Sequence, residues 1–104
     1  MIYLKVHRTE NGSMIAMCDE NLIGRILEQG DVYINIREYK SYYMGERISK
    51  ENAAKLIKSI EKVHSSNVVG KESVEVGLET KIVNMKDVLK VDGVPYAQSY
   101  NVNI

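Results

Sequence analysis

Residues 1–18 constrain the fold most. Ile2, Leu4 and Val6 alternate with Tyr3, Lys5 and His7. That period of two puts the apolar set on one face of a strand. "TENGS" follows at 9–13, and Asn11-Gly12 is a hairpin signal because both residue types tolerate positive φ. "MIAMC" at 14–18 reads as the return strand. A hairpin with one apolar face needs a layer packed against it.

A helix is the natural cover, and one is legible at 49–64, in "SKENAAKLIKSIEKVH". Ala53, Leu56, Ile57, Ile60 and His64 fall on one face of a 3.6-residue period. Ser49 suits the N-cap, and Glu51 sits in the first turn, where the helix dipole favours an acid. Lys55, Lys58 and Lys62 line the opposite face and read as a solvated stripe. "DVYINIRE" at 31–38 alternates again, "VLKV" at 88–91 is strand-like, and "AQSYNVN" at 97–103 reads as a terminal strand. Asp92-Gly93 marks a turn. Pro95, the only proline, fixes φ and withholds a donor, so it suits the stiff start of a strand. Residues 71–82 fit both periods, because Val74, Val76 and Leu78 alternate while Val74, Leu78 and Ile82 share a helical face.

Composition narrows the function classes. With 104 residues the chain is expected to form a single domain over 1–104. Phe and Trp are absent, so seven Tyr supply all aromatic packing and any aromatic recognition. Lys plus Arg equals Asp plus Glu at 14 each, which leaves no global basic footprint and argues against DNA as a partner. The single Cys excludes an internal disulfide and fits a reducing compartment. No segment reaches membrane-spanning length. The expected location is cytoplasmic, with no membrane partner.

Motifs for chemistry are sparse. Cys18 and Asp19 precede a short helical turn, and a thiol there can become a nucleophile. The neighbouring acids Asp19 and Glu20 disfavour the thiolate, however, and strand placement suggests burial. Cys18, His7 and His64 are too scattered for zinc, so no metal is expected. "GKES" at 70–73 lacks the upstream glycine of a phosphate loop, and no cofactor is expected. "REYKSYYMGER" at 37–47 is more suggestive, because it interleaves tyrosines with Arg37, Lys40 and Arg47. Rings that stack on bases beside cations that meet phosphates are what single-stranded RNA needs. Arg37, Lys40, Tyr42 and Arg47 are therefore candidate RNA contacts.

Four stretches, taken in order, carry a family resemblance: "MCDENLIG" at 17–24, "YYMG" at 42–45, "NVVG" at 67–70 and "GVPYAQ" at 93–98. Together they resemble a small archaeal family known as domain of unknown function 424. The resemblance spans nearly the whole chain and implies a soluble archaeal protein in an informational role, such as association with RNA or a translation-related complex. It also tips 71–82 towards helix. Tyr96 stands where the family pattern has histidine, which removes that position as a shared general base.

The resulting expectation is an α+β fold: a small, largely antiparallel sheet from 2–8, 13–18, 31–38, 88–91 and 97–103, with two helices packed on one face. The expected function is a noncatalytic binding module, RNA- or translation-associated. The alternatives are a small enzyme using Cys18 or Asp19 and a protein–protein adaptor. Tyr96 and Gln98, two apart on a strand, should share a face. They are expected beside Asp19 and Tyr43 in one groove, with Gly45 and Gly70 allowing close backbone approach.

Overall fold

The computed structural model describes residues 1–100. β1 (Ile2–Thr9) and β2 (Gly12–Asp19) form the expected antiparallel hairpin, with Ile2 opposite Asp19 and Thr9 opposite Gly12. The turn residues are Glu10 and Asn11, one position earlier than the Asn-Gly signal suggests. Gly12, at φ 128°, already belongs to β2. The Thr9 hydroxyl closes the turn: it donates to the Gly12 carbonyl at 2.6 Å and accepts from the Asn11 N–H at 3.2 Å.

The next segment departs from the expectation for 31–38. Only β4 (Val32–Asn35) is strand there, and it pairs with β3 (Ile26–Gln29) in a separate two-stranded ribbon. Val32, Ile34 and Ile36 do turn inward, as the alternation requires, but they pack under the ribbon and do not join the main sheet. A short helix α1 (Lys40–Tyr43) and an edge strand β5 (Glu46–Ile48) follow.

α2 (Lys50–Ser59) begins where expected, with the Ser49 hydroxyl accepting from the Asn52 N–H. It ends five residues earlier than its apolar face implies. Ile60 is extended, and the Ser59 hydroxyl donates to the Leu56 carbonyl at 2.6 Å. The reason is competition: Val63–Val69 is β6, laid parallel to β2 and antiparallel to the last strand at Val94–Tyr100, and sheet pairing outweighs one more helical turn. His64 is therefore a strand residue. Ala53, Ala54 and Ile57 are buried, whereas Leu56 and Ile60 are only half-buried against the core.

α3 (Lys71–Glu79) is helix, as the resemblance implies, and stops before Lys81, which has positive φ. β7 (Leu89–Val91) and β8 (Val94–Tyr100) close the chain. Asp92 and Gly93, at φ 51° and 77°, form the two-residue turn between them, which is the conformation a primed hairpin turn demands. Positions 101–103 of the expected last strand lie outside the described residues.

Among the described residues the main sheet has six strands in the order β5-β1-β2-β6-β8-β7, and only the β2–β6 pair is parallel. The fold is α+β. α2 and α3 cover one face, burying Ile2, Leu4, Ile15, Met17 and Val68. The other face is also covered at one end: Ala16, Cys18 and Val69 pack against Leu27, Ile36 and Tyr43 from the ribbon and α1. β2 is therefore buried on both sides from Ile15 to Asp19. Among the described residues no helix is long and apolar enough to cross a membrane.

Candidate functional site

The face opposite the long helices is only partly roofed, and a groove of 340 Å³ opens where the cover ends. Strand register builds its floor. Ala16, Asn67 and Gln98 stand side by side on β2, β6 and β8. Asn67 and Gln98 both reach the groove, and the walls come from Tyr33, Ile34 and Asn35 of β4 with Tyr39, Tyr42 and Tyr43 at α1. The lining thus holds four tyrosine rings, three carboxamides and one aliphatic side chain, with no charged group.

The tyrosines are not equivalent. Tyr33 and Tyr39 are 58% and 57% exposed, so their rings are free to receive a ligand. Tyr42 is fixed. Its ring stacks on His7 at 4.7 Å, its hydroxyl donates to Met14 Sδ at 3.3 Å, and its carbonyl accepts from His7 Nε2 at 3.1 Å. Tyr43 is buried edge-on against Tyr42 and donates its O–H to Asn67 Oδ1 at 3.2 Å. Burial raises both phenol pKa values, for Tyr43 well above the ordinary tyrosine range. Both hydroxyls therefore stay protonated near neutral pH and act as donors, not bases.

The carboxamides also divide. Asn35 is consumed locally, accepting from the Glu38 N–H at 2.9 Å. Asn67 has its oxygen engaged by Tyr43. Gln98 is exposed, and among the described residues its side chain makes no hydrogen bond. The groove can therefore accept a planar, neutral, hydrogen-bonding group. It lacks a base, an acid or a nucleophile.

Gln98 and Tyr43 meet in the groove as expected, and Tyr42 lines it too. Tyr96 shares their sheet face, paired with Val69, but packs half-buried under the ribbon outside the groove. Asp19 is on the other face. The alternation that turns Cys18 towards the ribbon turns Asp19 towards α3, where its carboxylate accepts from the Glu72 N–H (3.1 Å), the Ser73 N–H (2.8 Å) and the Ser73 hydroxyl (2.8 Å). The shared groove expected for Gln98 and Asp19 is thus divided by the sheet itself. Gly70, at φ 111°, makes room for that carboxylate, because a Cβ there would overlap it. Gly45 serves a close approach of backbone to backbone, against Leu4 and Lys5 of β1.

The cations scatter. Arg37 is exposed and donates from Nε to the Gly24 carbonyl at 3.2 Å. Lys40 opens α1 and borders a shallow cleft with Lys5 outside the groove. Arg47, on β5, is paired with the Glu20 carboxylate. Cys18 is fully buried, and burial, followed by the Asp19 charge, pushes its thiol up to about 12, so it is no nucleophile at neutral pH.

Sequence reasoning left Tyr33, Ile34, Asn35, Tyr39 and Asn67 of the groove lining outside the candidate set. Asn67 carried little signal of its own, since it closes the polar run "HSSN" at 64–67 and reads as loop until strand pairing fixes it.

The family model described as "Protein of unknown function (DUF424)" matches residues 6–102. No curated protein matches the chain. Among solved structures, an uncharacterized conserved protein from Methanopyrus kandleri shares the fold with a TM-score of 0.80 and 24% identity, over 99% of this chain and 93% of that one.

Proposed function

Because the chain belongs to the DUF424 family, whose description states no activity, we propose its function from the groove itself: it is a noncatalytic module that binds a nucleobase presented by single-stranded RNA. The observation that carries this is the lining, tyrosine rings and carboxamides without a single charge. Stacking on exposed rings and hydrogen bonding to base edges are how unpaired RNA is held. Tyr33 and Tyr39 supply the exposed faces, and Asn67 and Gln98 supply the edge contacts. Arg37 and Lys40 lie within two residues of Tyr39 in the chain and are exposed, and in this reading they would meet the phosphates on either side of the bound base. With no base, acid or reactive thiol at the groove, the reading is of binding alone.

Fluorescence anisotropy of short labelled ribo-oligonucleotides tests this. Tyr39→Ala should weaken binding by roughly 5- to 150-fold, the range for one base–aromatic stack. Two phosphate contacts imply a shallow salt dependence, with a log–log slope of about −1.4. No binding at low salt, or binding indifferent to both Tyr39→Ala and Gln98→Ala, overturns the proposal.

A further inference from the structure

Resting on that reading, we infer that the site holds two successive bases of the strand, the first in the groove and the second stacked on Tyr100 of β8. Side chains two apart on a strand share a face and stand about 6.8 Å apart, two rises of the strand. Tyr96, Gln98 and Tyr100 therefore form one row on the groove side of β8, opposite Val69, Asn67 and Ser65 of β6. Cover thins along that row. Tyr96 packs half-buried beneath the ribbon, Gln98 lies exposed in the groove, and Tyr100 is 73% exposed. The ribbon closes the groove on the Tyr96 side, so a strand whose base lies over Asn67 and Gln98 meets Tyr100 next along β8.

The surroundings of Tyr100 suit a stacking platform. Ser65, directly opposite it on β6, is too short to cover its ring. Met14, beyond Ser65 on β2, is held by the Tyr42 hydroxyl. A ring this exposed adds little to the core, and its faces are left for a ligand. Sheets that bind single strands place aromatic rings at this spacing and stack one base on each, without regard to base identity. The groove thus supplies hydrogen bonds to one base, and Tyr100 extends the footprint to its neighbour through the ring alone.

The test competes a labelled, mixed-sequence ribo-oligonucleotide off the protein with mononucleotides (AMP, UMP) and with the dinucleotides ApA and UpU. A mononucleotide fills only the groove; a dinucleotide fills both positions. Tyr100→Ala should weaken the dinucleotides by roughly 5- to 150-fold, the range for one base–aromatic stack, and leave the mononucleotides unchanged. Tyr39→Ala should weaken both. Tyr100→Phe keeps the ring and should match wild type. Tyr100→Trp introduces the one indole into a chain without Trp, and its fluorescence should change with dinucleotides but not with mononucleotides. Unchanged dinucleotide affinity in Tyr100→Ala overturns this inference and leaves the groove reading intact. Equal loss of mononucleotides and dinucleotides also overturns it, because Tyr100 would then act on the groove itself. No binding of any ribo-oligonucleotide overturns both.

Discussion

Asp19→Ala separates a structural carboxylate from a ligand-binding one. The Asp19 side chain is 6% exposed and accepts three hydrogen bonds, all from the first turn of α3. Gly70, at the N-cap, has no side chain to offer, so Asp19 of β2 caps the helix from another strand. Loss of a cap costs about 0.5–2 kcal/mol. Hydrogen bonds to a charged group contribute roughly 1.5–3 kcal/mol each, without adding fully, and their buried donors would be left unpaired. A loss of about 3 kcal/mol is expected, which lowers Tm by roughly 12–20 °C in a chain of this size. Asp19→Asn retains one acceptor oxygen and should lose about half as much. Urea titration followed by far-UV ellipticity reads both. An Asp19→Ala variant that loses less than about 1 kcal/mol yet no longer binds RNA would refute the capping role and return Asp19 to the ligand site.

Gly70→Ala should destabilise in the same assay by about 2 kcal/mol or more, since its Cβ meets the Asp19 carboxylate at a positive φ; a neutral effect would contradict that packing. Ile57→Ala should cost ~2–5 kcal/mol, Leu56→Ala less, and Lys58→Ala close to nothing, because only Ile57 of the three is fully buried; equal losses would show the helix faces the wrong way. Cys18 should label slowly with a neutral-pH thiol reagent in the folded state, and labelling as fast as a free thiol would contradict its burial. Stability should decline as pH rises above about 9. Cys18 is raised from its ordinary 9.0 to about 12, so the unfolded thiol loses its proton first, and stability present below pH 9 is lost towards 12 at up to about 1.4 kcal/mol per pH unit. Tyr43, also raised, adds to the decline from its ordinary 10.0 upward. Cys18→Ala should flatten the pH profile in urea titrations, and an unchanged slope would refute the assignment.

Much of the scaffold was legible because local signals and tertiary packing agree there. The β1–β2 hairpin, the start of α2 at Ser49 and the Asp92-Gly93 turn each follow from a few residues. What escaped depends on pairing between distant segments. β6 reads "VHSSNVV", with a polar centre and no breaker before it, and only its place between β2 and β8 makes it a strand. The ribbon that roofs the second face escaped: the hairpin was read as having one apolar face, although the unbroken "MIAMC" is the pattern of a strand covered on both sides. The groove was harder. Gln98, Tyr42 and Tyr43 stood out by type and spacing, but Asn67 and Tyr33 join them only through sheet register and the fold-back of the ribbon. Asp19 was expected beyond the end of its strand, yet β2 runs through it, and the alternation that turns Cys18 to the groove side turns Asp19 to the opposite face.

The most direct test of the groove as a binding site is an amide chemical-shift titration with a short single-stranded ribo-oligonucleotide of mixed sequence, following the side-chain NH₂ signals of Asn67 and Gln98. Both should shift with saturation, together with the backbone amides around Tyr33 and Tyr39, while Glu72 and Ser73 beside Asp19 stay still. Shifts confined to the Asp19–α3 face, or none at saturating oligonucleotide, would contradict it.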